Sequence, residues 1–160
     1  MKSTVAIYDS HWTSLDAVEM LKSKSYPVNQ LSIIGQAKIV DDHVKQKSKV
    51  TSKNTGGGLI LGSTLGVLPG AGIFAVPGFG YIFGAGAVKK ELTGYVIGLI
   101  GDGIVSILEK IGIKEDKVNK YRKYLNEGNF LVIAQGSEEE IEKAKDILSR
   151  GGKNIEVSIN

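Results

Sequence analysis

The sequence predicts an α+β fold of the ferredoxin-like kind, a βαβ–βαβ split sandwich with a long apolar insertion between its second and third strands. The two ends of the chain each have the pattern strand, helix, strand, whereas Asn54 to Val88 is a run of 35 residues without a charged side chain. A split βαβ pair forms one sheet with two helices packed on one face. We therefore expect a head made of residues 1–35 and 129–160, into which residues 36–128 are inserted.

The N-terminal half of the head begins with a short strand. Thr4 to Tyr8 is β-branched and aromatic, which is typical of a buried strand. Thr13 to Asp16 has the form of a capping box and predicts the start of a helix that runs to about Ser23. Leu31 to Ile34 predicts the second strand.

The C-terminal half repeats this order. Phe130 to Ala134 (FLVIA) is apolar throughout, which predicts a strand at the centre of the sheet. Ser137 to Glu140 forms a second capping box, and the apolar positions that follow it lie at helical spacing. Apolar and polar residues alternate from Ile155 to Ile159, which indicates a half-buried last strand.

The insertion divides into three parts by composition. A polar linker covers residues 36–53, an apolar helical hairpin covers 54–112, and an amphipathic helix covers 114–126. The prolines and glycines between Pro69 and Gly86 predict the bend that joins the two apolar helices.

Glycines at four-residue spacing define the first apolar helix, and further glycines allow close packing of the second. Residues four apart lie on one helix face, so such glycines form a groove that another backbone can approach closely. Each glycine costs a helix about 1 kcal/mol relative to alanine, so the spacing favours a packing role. The predicted self-association residues are Gly58, Gly62, Gly66, Gly70, Gly94, Gly98 and Gly101.

Composition limits the compartment and the partners. The chain has no cysteine, which suits a reducing cytoplasm, and no apolar N-terminal run of signal-peptide length. Its net charge is +3, and lysines flank the apolar segment. Such lysines favour an anionic membrane surface or serve as a solvated linker, whereas they lack the aromatic interleaving of a nucleic-acid site. The membrane-flanking basic residues are Lys49, Lys53, Lys89 and Lys90.

Three blocks of sequence resemble a known family. They are VAIYDSHWTSLDAVEMLKS with LSIIG, the glycine-rich GGGLILGSTLGVLPGAG with VPGFGYIFGAG, and NFLVIAQGSEEEIEKAKDIL. Their order resembles that of the bacterial general stress proteins, also described as heat-induced stress proteins. The resemblance implies a role in stress or envelope adaptation and no established catalytic site. Lys89-Lys90-Glu91 departs from the small apolar residues expected there.

The motifs that suggest chemistry have simpler explanations. Gly78-Phe-Gly80 lies in an apolar region without a preceding strand, so it does not predict a phosphate loop. Asp41-Asp42-His43 are adjacent residues that rarely converge on one metal ion, and His11-Trp12 fits a packing role. Asp102 stands alone among apolar neighbours and must pair, protonate or reach water. We predict no catalytic residue, no cofactor and no metal site, and no small-molecule substrate is identified.

The leading hypothesis is a non-enzymatic, self-associating, stress-related protein, bound to the cytoplasmic side of a membrane through its glycine-zipper hairpin. Both ends of the insertion belong to one sheet, so any membrane crossings must be even in number. A span takes about 20 residues, and both predicted helices are shorter. The alternative is therefore a homo-oligomer in the soluble cytoplasm, a shell or filament in which hairpins interlock between subunits; a ligand-binding regulatory domain has only fold analogy behind it.

Overall fold

The computed structural model describes residues 2–37, 68, 72–76, 79–88 and 103–160. This part of the chain is mixed α+β, with a six-stranded antiparallel sheet and four α-helices. The strands are β1 Lys2–Tyr8, β2 Leu31–Gln36, β3 Gly72–Val76, β4 Gly80–Gly86, β5 Phe130–Gly136 and β6 Glu156–Ile159. The helices are α1 His11–Ser23, α2 Gly103–Lys110, α3 Glu115–Asn126 and α4 Glu138–Gly151, and a 3₁₀ turn, Val28–Gln30, precedes β2.

The strand order across the sheet is β3-β4-β2-β5-β1-β6. The apolar strand β5 lies between β2 and β1, and the paired residues Ile34↔Leu131 and Val5↔Ile133 fix its register on both sides. The central position predicted for Phe130 to Ala134 is confirmed. A strand buried on both faces needs apolar residues at every position, which explains why this run shows no alternation.

Helices cover both faces of the sheet, which corrects the expected one-sided sandwich. On one face, α1 and α4 pack on a core that includes Tyr8 and Phe130. On the other face, α2 and α3 pack on a second core that includes Ile7, Leu131 and Ile133. The one-sided prediction was wrong because it treated α2 and α3 as parts of a separate insertion. Their buried residues, Ile104, Ile107, Leu108, Val118, Tyr121 and Leu125, fill that second core.

The segment predicted as the bend of a helical hairpin is a β-hairpin. β3 pairs with β4, with Phe74 opposite Ile82, and β4 pairs in turn with β2. Glycine and proline oppose a helix here, while the β-branched and aromatic residues between them favour strands. The prediction of an irregular bend was therefore wrong for 72–76 and 80–86, which are strands. A helix was predicted on the C-terminal side of that bend, over 92–108. It is confirmed for 103–108, and the amphipathic helix predicted at 114–126 is α3.

The caps set the helix boundaries, and one of them differs from prediction. α1 begins at His11, because Ser10 is its N-cap and accepts a hydrogen bond from the Thr13 backbone N–H at 3.1 Å. The capping box predicted at Thr13 to Asp16 was wrong, since Thr13 is already inside the helix. The second predicted box is confirmed, with Ser137 and Glu140 exchanging both hydrogen bonds at the start of α4.

Candidate functional site

The residues predicted for self-association and membrane contact lie outside the part of the chain that the structure describes. They are the glycines Gly58, Gly62, Gly66, Gly70, Gly94, Gly98 and Gly101 and the lysines Lys49, Lys53, Lys89 and Lys90. Asp102 and the Asp41-Asp42-His43 run also lie outside it. The predictions made for these residues stay predictions.

The β3–β4 hairpin is the uncharged part of the insertion that the structure describes. The Phe79 backbone N–H donates to the Val76 carbonyl at 3.1 Å and closes the turn between the strands. Gly80 follows with a φ of +116°, a conformation that L side chains rarely adopt. Neither strand contains a charged residue, since their sequences are GIFAV and GYIFGAG.

The two faces of this hairpin differ in exposure. Phe74, Val76 and Ile82 pack against the core under α2 and α3. Ile73 and Tyr81 stand on the opposite face, where the described residues leave their side chains 47% and 71% exposed. We call Ile73 and Tyr81 the hairpin face. The hairpin face therefore exposes two large side chains on a strand pair that has no charged residue. Exposed apolar surface of this kind favours contact with another molecule.

The outer edge of β3 ends the sheet on this side, and we call it the β3 edge. Among the described residues β3 pairs with β4 alone. An edge strand presents a row of free N–H and C=O groups, and natural proteins protect such edges with lysine, proline, a bulge or an inward charge. The five residues of β3 contain neither a charge nor a proline.

The opposite edge of the sheet, the outer edge of β6, is protected, and we call it the β6 edge. The Lys117 ammonium donates to the Ile159 carbonyl at 2.9 Å. Lys120 forms a hydrogen-bonded ion pair with Glu156, and this hydrogen bond raises the pKa of Lys120. Within the described ranges the two edges of one sheet therefore differ in kind, because charged side chains occupy the β6 edge and none of the described ones occupies the β3 edge.

A small pocket between α1 and α4 has polar residues in its lining. It has a volume of about 170 Å³ and is lined by Tyr8, Thr13, Asp16, Ala17, Met20, Gly151 and Lys153. Burial raises the pKa of Tyr8 to about 12, so its phenol stays neutral at physiological pH. Lys153 and Asp16 form an exposed ion pair at 3.8 Å. An exposed pair of this kind contributes little binding energy of its own.

The His11-Trp12 pair has the packing role that the sequence predicts. The His11 side chain is fully buried, and its ring lies edge-on to Phe83 with centroids 5.2 Å apart. The Phe130 and Trp12 rings lie 5.6 and 5.3 Å from it. In the described part of the chain, no three His, Cys, Asp or Glu side chains group as metal ligands would.

Sequence reasoning missed the two edges of the sheet. The signal for the hairpin is visible in retrospect, because two runs with β-branched and aromatic residues, 72–76 and 80–86, flank the turn signal Pro77-Gly78. The protection of the β6 edge has no local signal. Lys117 and Ile159 are 42 residues apart in sequence, and only the folded chain brings them together.

Comparisons with protein-family models, with curated proteins and with solved structures found no match. Among the described residues, no helix is both long enough and apolar enough to cross a membrane.

Proposed function

We propose that this chain is a non-enzymatic protein that associates with itself, and that the β3 edge and the hairpin face carry the association. The contrast between the two edges of the sheet is the observation that supports this most directly. A sheet edge without charges is a template for pairing with another chain, and the part of the chain that the structure describes places charged side chains at one of the two edges only. A role in the stress response of the cytoplasm is part of the proposal and derives from the family resemblance.

The head is, by inference, ferredoxin-like. The strand order β2-β5-β1-β6 and the crossovers through α1 and α4 match a split βαβ pair. On this view β3, β4, α2 and α3 are additions to that unit. They extend the sheet by two strands and cover its second face.

The expected association is weak. A five-residue strand with two exposed side chains gives an interface at the small end of the range, below about 1,200 Å², which is typical of transient complexes. Burial of Ile73 and Tyr81 adds roughly 25 cal/mol for each Å² of apolar surface removed from water. We expect a dissociation constant of micromolar order or weaker. This corresponds to a binding free energy of about −8 kcal/mol or smaller in magnitude.

The experiment is sedimentation velocity of the full chain from about 1 to about 500 µM, a range that brackets a micromolar dissociation constant. Ile73→Lys places an ammonium group beside the β3 edge and is expected to abolish association. Ile155→Lys is the matched control, because Ile155 is 50% exposed and lies at the other end of the sheet, next to β6. A monomer at every concentration, or equal effects of the two lysines, contradicts the proposal.

Peripheral membrane contact is a second candidate, favoured by the hairpin face. An exposed tyrosine beside an apolar side chain suits a bilayer interface, and Lys89 and Lys90 follow in sequence. The connections 38–67 and 89–102 contain 30 and 14 residues, and both begin and end at the folded body. Crossing a bilayer and returning takes about 40 residues. This supports contact with the membrane surface over a spanning hairpin.

Flotation with vesicles separates this candidate from self-association. Anionic phosphatidylserine vesicles are expected to bind the chain at low salt and to release it at high salt, because surface charge attraction is screened. Neutral phosphatidylcholine vesicles are the control. Ile73→Lys distinguishes the two functions, because it blocks strand pairing and adds a charge that anionic lipid attracts. Absence of flotation with either lipid contradicts the membrane candidate and leaves self-association to the sedimentation experiment.

A further inference from the structure

We infer that the association is a closed two-fold dimer, in which β3 pairs antiparallel with β3 of a second copy and the β6 edge stops further growth. This rests on the proposed self-association and specifies its partner, register and symmetry.

The β3 strand is suited to pairing with its own copy. Two identical strands related by a two-fold axis run antiparallel, and each contributes the same patch of surface. Centring the axis on Phe74 pairs all five residues of Gly72–Val76, whereas any other centre leaves positions unpaired. Phe74 then lies opposite Phe74 of the second copy, and the paired side chains point to the same face of the sheet.

Charge does not oppose a second copy at the β3 edge. The chain carries a net charge of +3, so two copies repel each other where charged surfaces meet. Pairing at the β3 edge places no charged residue of β3 or β4 at the contact and so avoids this repulsion there. The described strands of the two copies would then form one continuous sheet of twelve strands, six from each copy.

The protection of the β6 edge explains why growth stops at two copies. Asn160 and Ser3 exchange both backbone hydrogen bonds, at 2.7 and 3.1 Å, so Asn160 faces β1. Backbone direction alternates along a strand, and the Ile159 carbonyl therefore points away from β1. The Lys117 ammonium donates a hydrogen bond to that carbonyl at 2.9 Å. A β3 strand added here would have to displace Lys117 and pack beside the Glu156–Lys120 ion pair.

A head-to-tail arrangement, β3 on β6, would be heterologous and would extend into an open filament. It needs the β6 edge to be free, and the Lys117 hydrogen bond and the Glu156–Lys120 pair oppose this. Pairing of β3 with β3 leaves both β6 edges outside the interface. The structure thus favours a dimer over the filament form of a soluble assembly.

Disulfide trapping tests the register, because the native chain has no cysteine and a single introduced thiol is unique. In Phe74→Cys the two sulfur-bearing residues face each other with Cα atoms about 4.5–5.5 Å apart, within the range that a disulfide spans. In Ile73→Cys the two thiols sit diagonally, about 7–8 Å or more apart, beyond that range. Ile155→Cys reports random collisions at an equally exposed site.

Under mild oxidation with diamide, Phe74→Cys is expected to form a covalent dimer about tenfold faster than either control. Equal rates for the three variants overturn the register. Covalent dimers that trap most readily at Ile155→Cys overturn the closed dimer, because they place β6 in the interface. Phe74 packs partly against the core, so its replacement could disturb the fold. The circular dichroism spectrum of Phe74→Cys, which should match that of the native chain, is the control for folding.

Hydrogen exchange on the unmodified chain tests the same contact without a mutation. The β3 amides that point away from β4 are expected to gain protection as concentration rises through the dissociation constant, while β6 amides do not change. A dimer in sedimentation without this gain overturns β3 pairing and leaves self-association through another surface. A monomer at all concentrations overturns both proposals.

Discussion

Phe130 occupies the space beside Gly35, and this contact shows how closely the residues of the sheet are fitted. A Cβ built on Gly35 would lie 2.0 Å from Phe130 Cδ1, inside the van der Waals distance. Gly35 is on β2, next to β5, and Phe130 is completely buried. An added Cβ would therefore meet a buried ring, so the glycine is required by packing and not by its backbone conformation.

Gly35→Ala is expected to lower the free energy of unfolding by about 1–3 kcal/mol through overpacking. Urea denaturation measures the loss. Phe130→Leu, which removes the ring, is the partner in a double-mutant cycle, and the combined variant should lose less than the sum of the two single variants. Additive losses would show that Gly35 and Phe130 are not coupled.

Tyr26 links the two sides of the sheet through a polar contact. Its hydroxyl donates to the Gln135 carbonyl at 2.8 Å, and the Gln135 side-chain amide donates to the Ile111 carbonyl at 3.1 Å. Tyr26 belongs to the core under α1 and α4, whereas Ile111 belongs to the core under α2 and α3. Burial, together with the nearby Glu140 carboxylate, raises the pKa of Tyr26 from 10.0 to about 12.

The raised pKa predicts a loss of stability at alkaline pH. Between pH 10 and pH 12 the unfolded chain releases the Tyr26 proton and the folded chain keeps it, so the free energy of unfolding falls as pH rises. Tyr26→Phe is expected to lose about 1 kcal/mol at neutral pH and to show a smaller decline above pH 10. Urea denaturation at several pH values measures both effects. Tyr81→Phe, on an exposed ring, is the control, and equal alkaline declines in native chain and Tyr26→Phe would contradict the assignment.

At the scale of elements, the fold could be predicted where local pattern and packing agree. The strands β1, β2, β5 and β6 follow from apolar and β-branched runs or, for β6, from alternation, and the helices α1, α3 and α4 follow from helical spacing and caps. The insertion could not be predicted in the same way, since a uniformly apolar run is equally compatible with lipid, a partner subunit or the chain's own sheet. The run that ends in α2 supplies Ile104, Ile107 and Leu108 to the second core, and no periodicity in the run distinguishes that outcome.

The burial of α2 predicts that its apolar residues stabilise the folded body itself. Ile107 is completely buried, so Ile107→Ala is expected to cost about 2–5 kcal/mol in the free energy of unfolding, measured in water without detergent. Glu109→Ala, on the exposed side of the same helix, is the control and should change the value by less than about 0.5 kcal/mol. A loss below about 0.5 kcal/mol for Ile107→Ala would contradict the packing of α2 on the sheet.

At the scale of the whole molecule, the two edges of the sheet determine the kind of assembly that the proposal allows. Edge protection distinguishes a dimer from an open chain of subunits, because the dimer uses the β3 edge alone and an open chain also needs the β6 edge. The candidate site could be predicted only in part from the sequence. The absence of charge from Asn54 to Val88 is the sequence feature behind the proposed association, but the strand proposed to carry it and the Lys117 hydrogen bond at the far edge depend on the tertiary fold.

Removal of the protection at β6 is therefore expected to convert a closed dimer into an open assembly. The variant Lys117→Ala with Glu156→Val frees the Ile159 carbonyl and places a β-branched residue on the edge strand. Each copy then has two unprotected edges, because β3 can pair with β3 and β6 with β6 of other copies. Further copies can therefore add to the dimer. Sedimentation velocity should show species larger than a dimer at concentrations where the native chain stops at two.

Two further variants make this test specific. Lys143→Ala with Glu142→Val removes the same charges from the exposed side of α4 and should leave the size distribution unchanged. Adding Ile73→Lys to the variant with an unprotected β6 edge blocks β3 and leaves β6 as the edge that can pair. Assembly should then stop at two copies again. Large species that persist after Ile73→Lys would mean that β3 takes no part in growth, and native-sized particles in the unprotected variant would mean that Lys117 and Glu156 do not limit it.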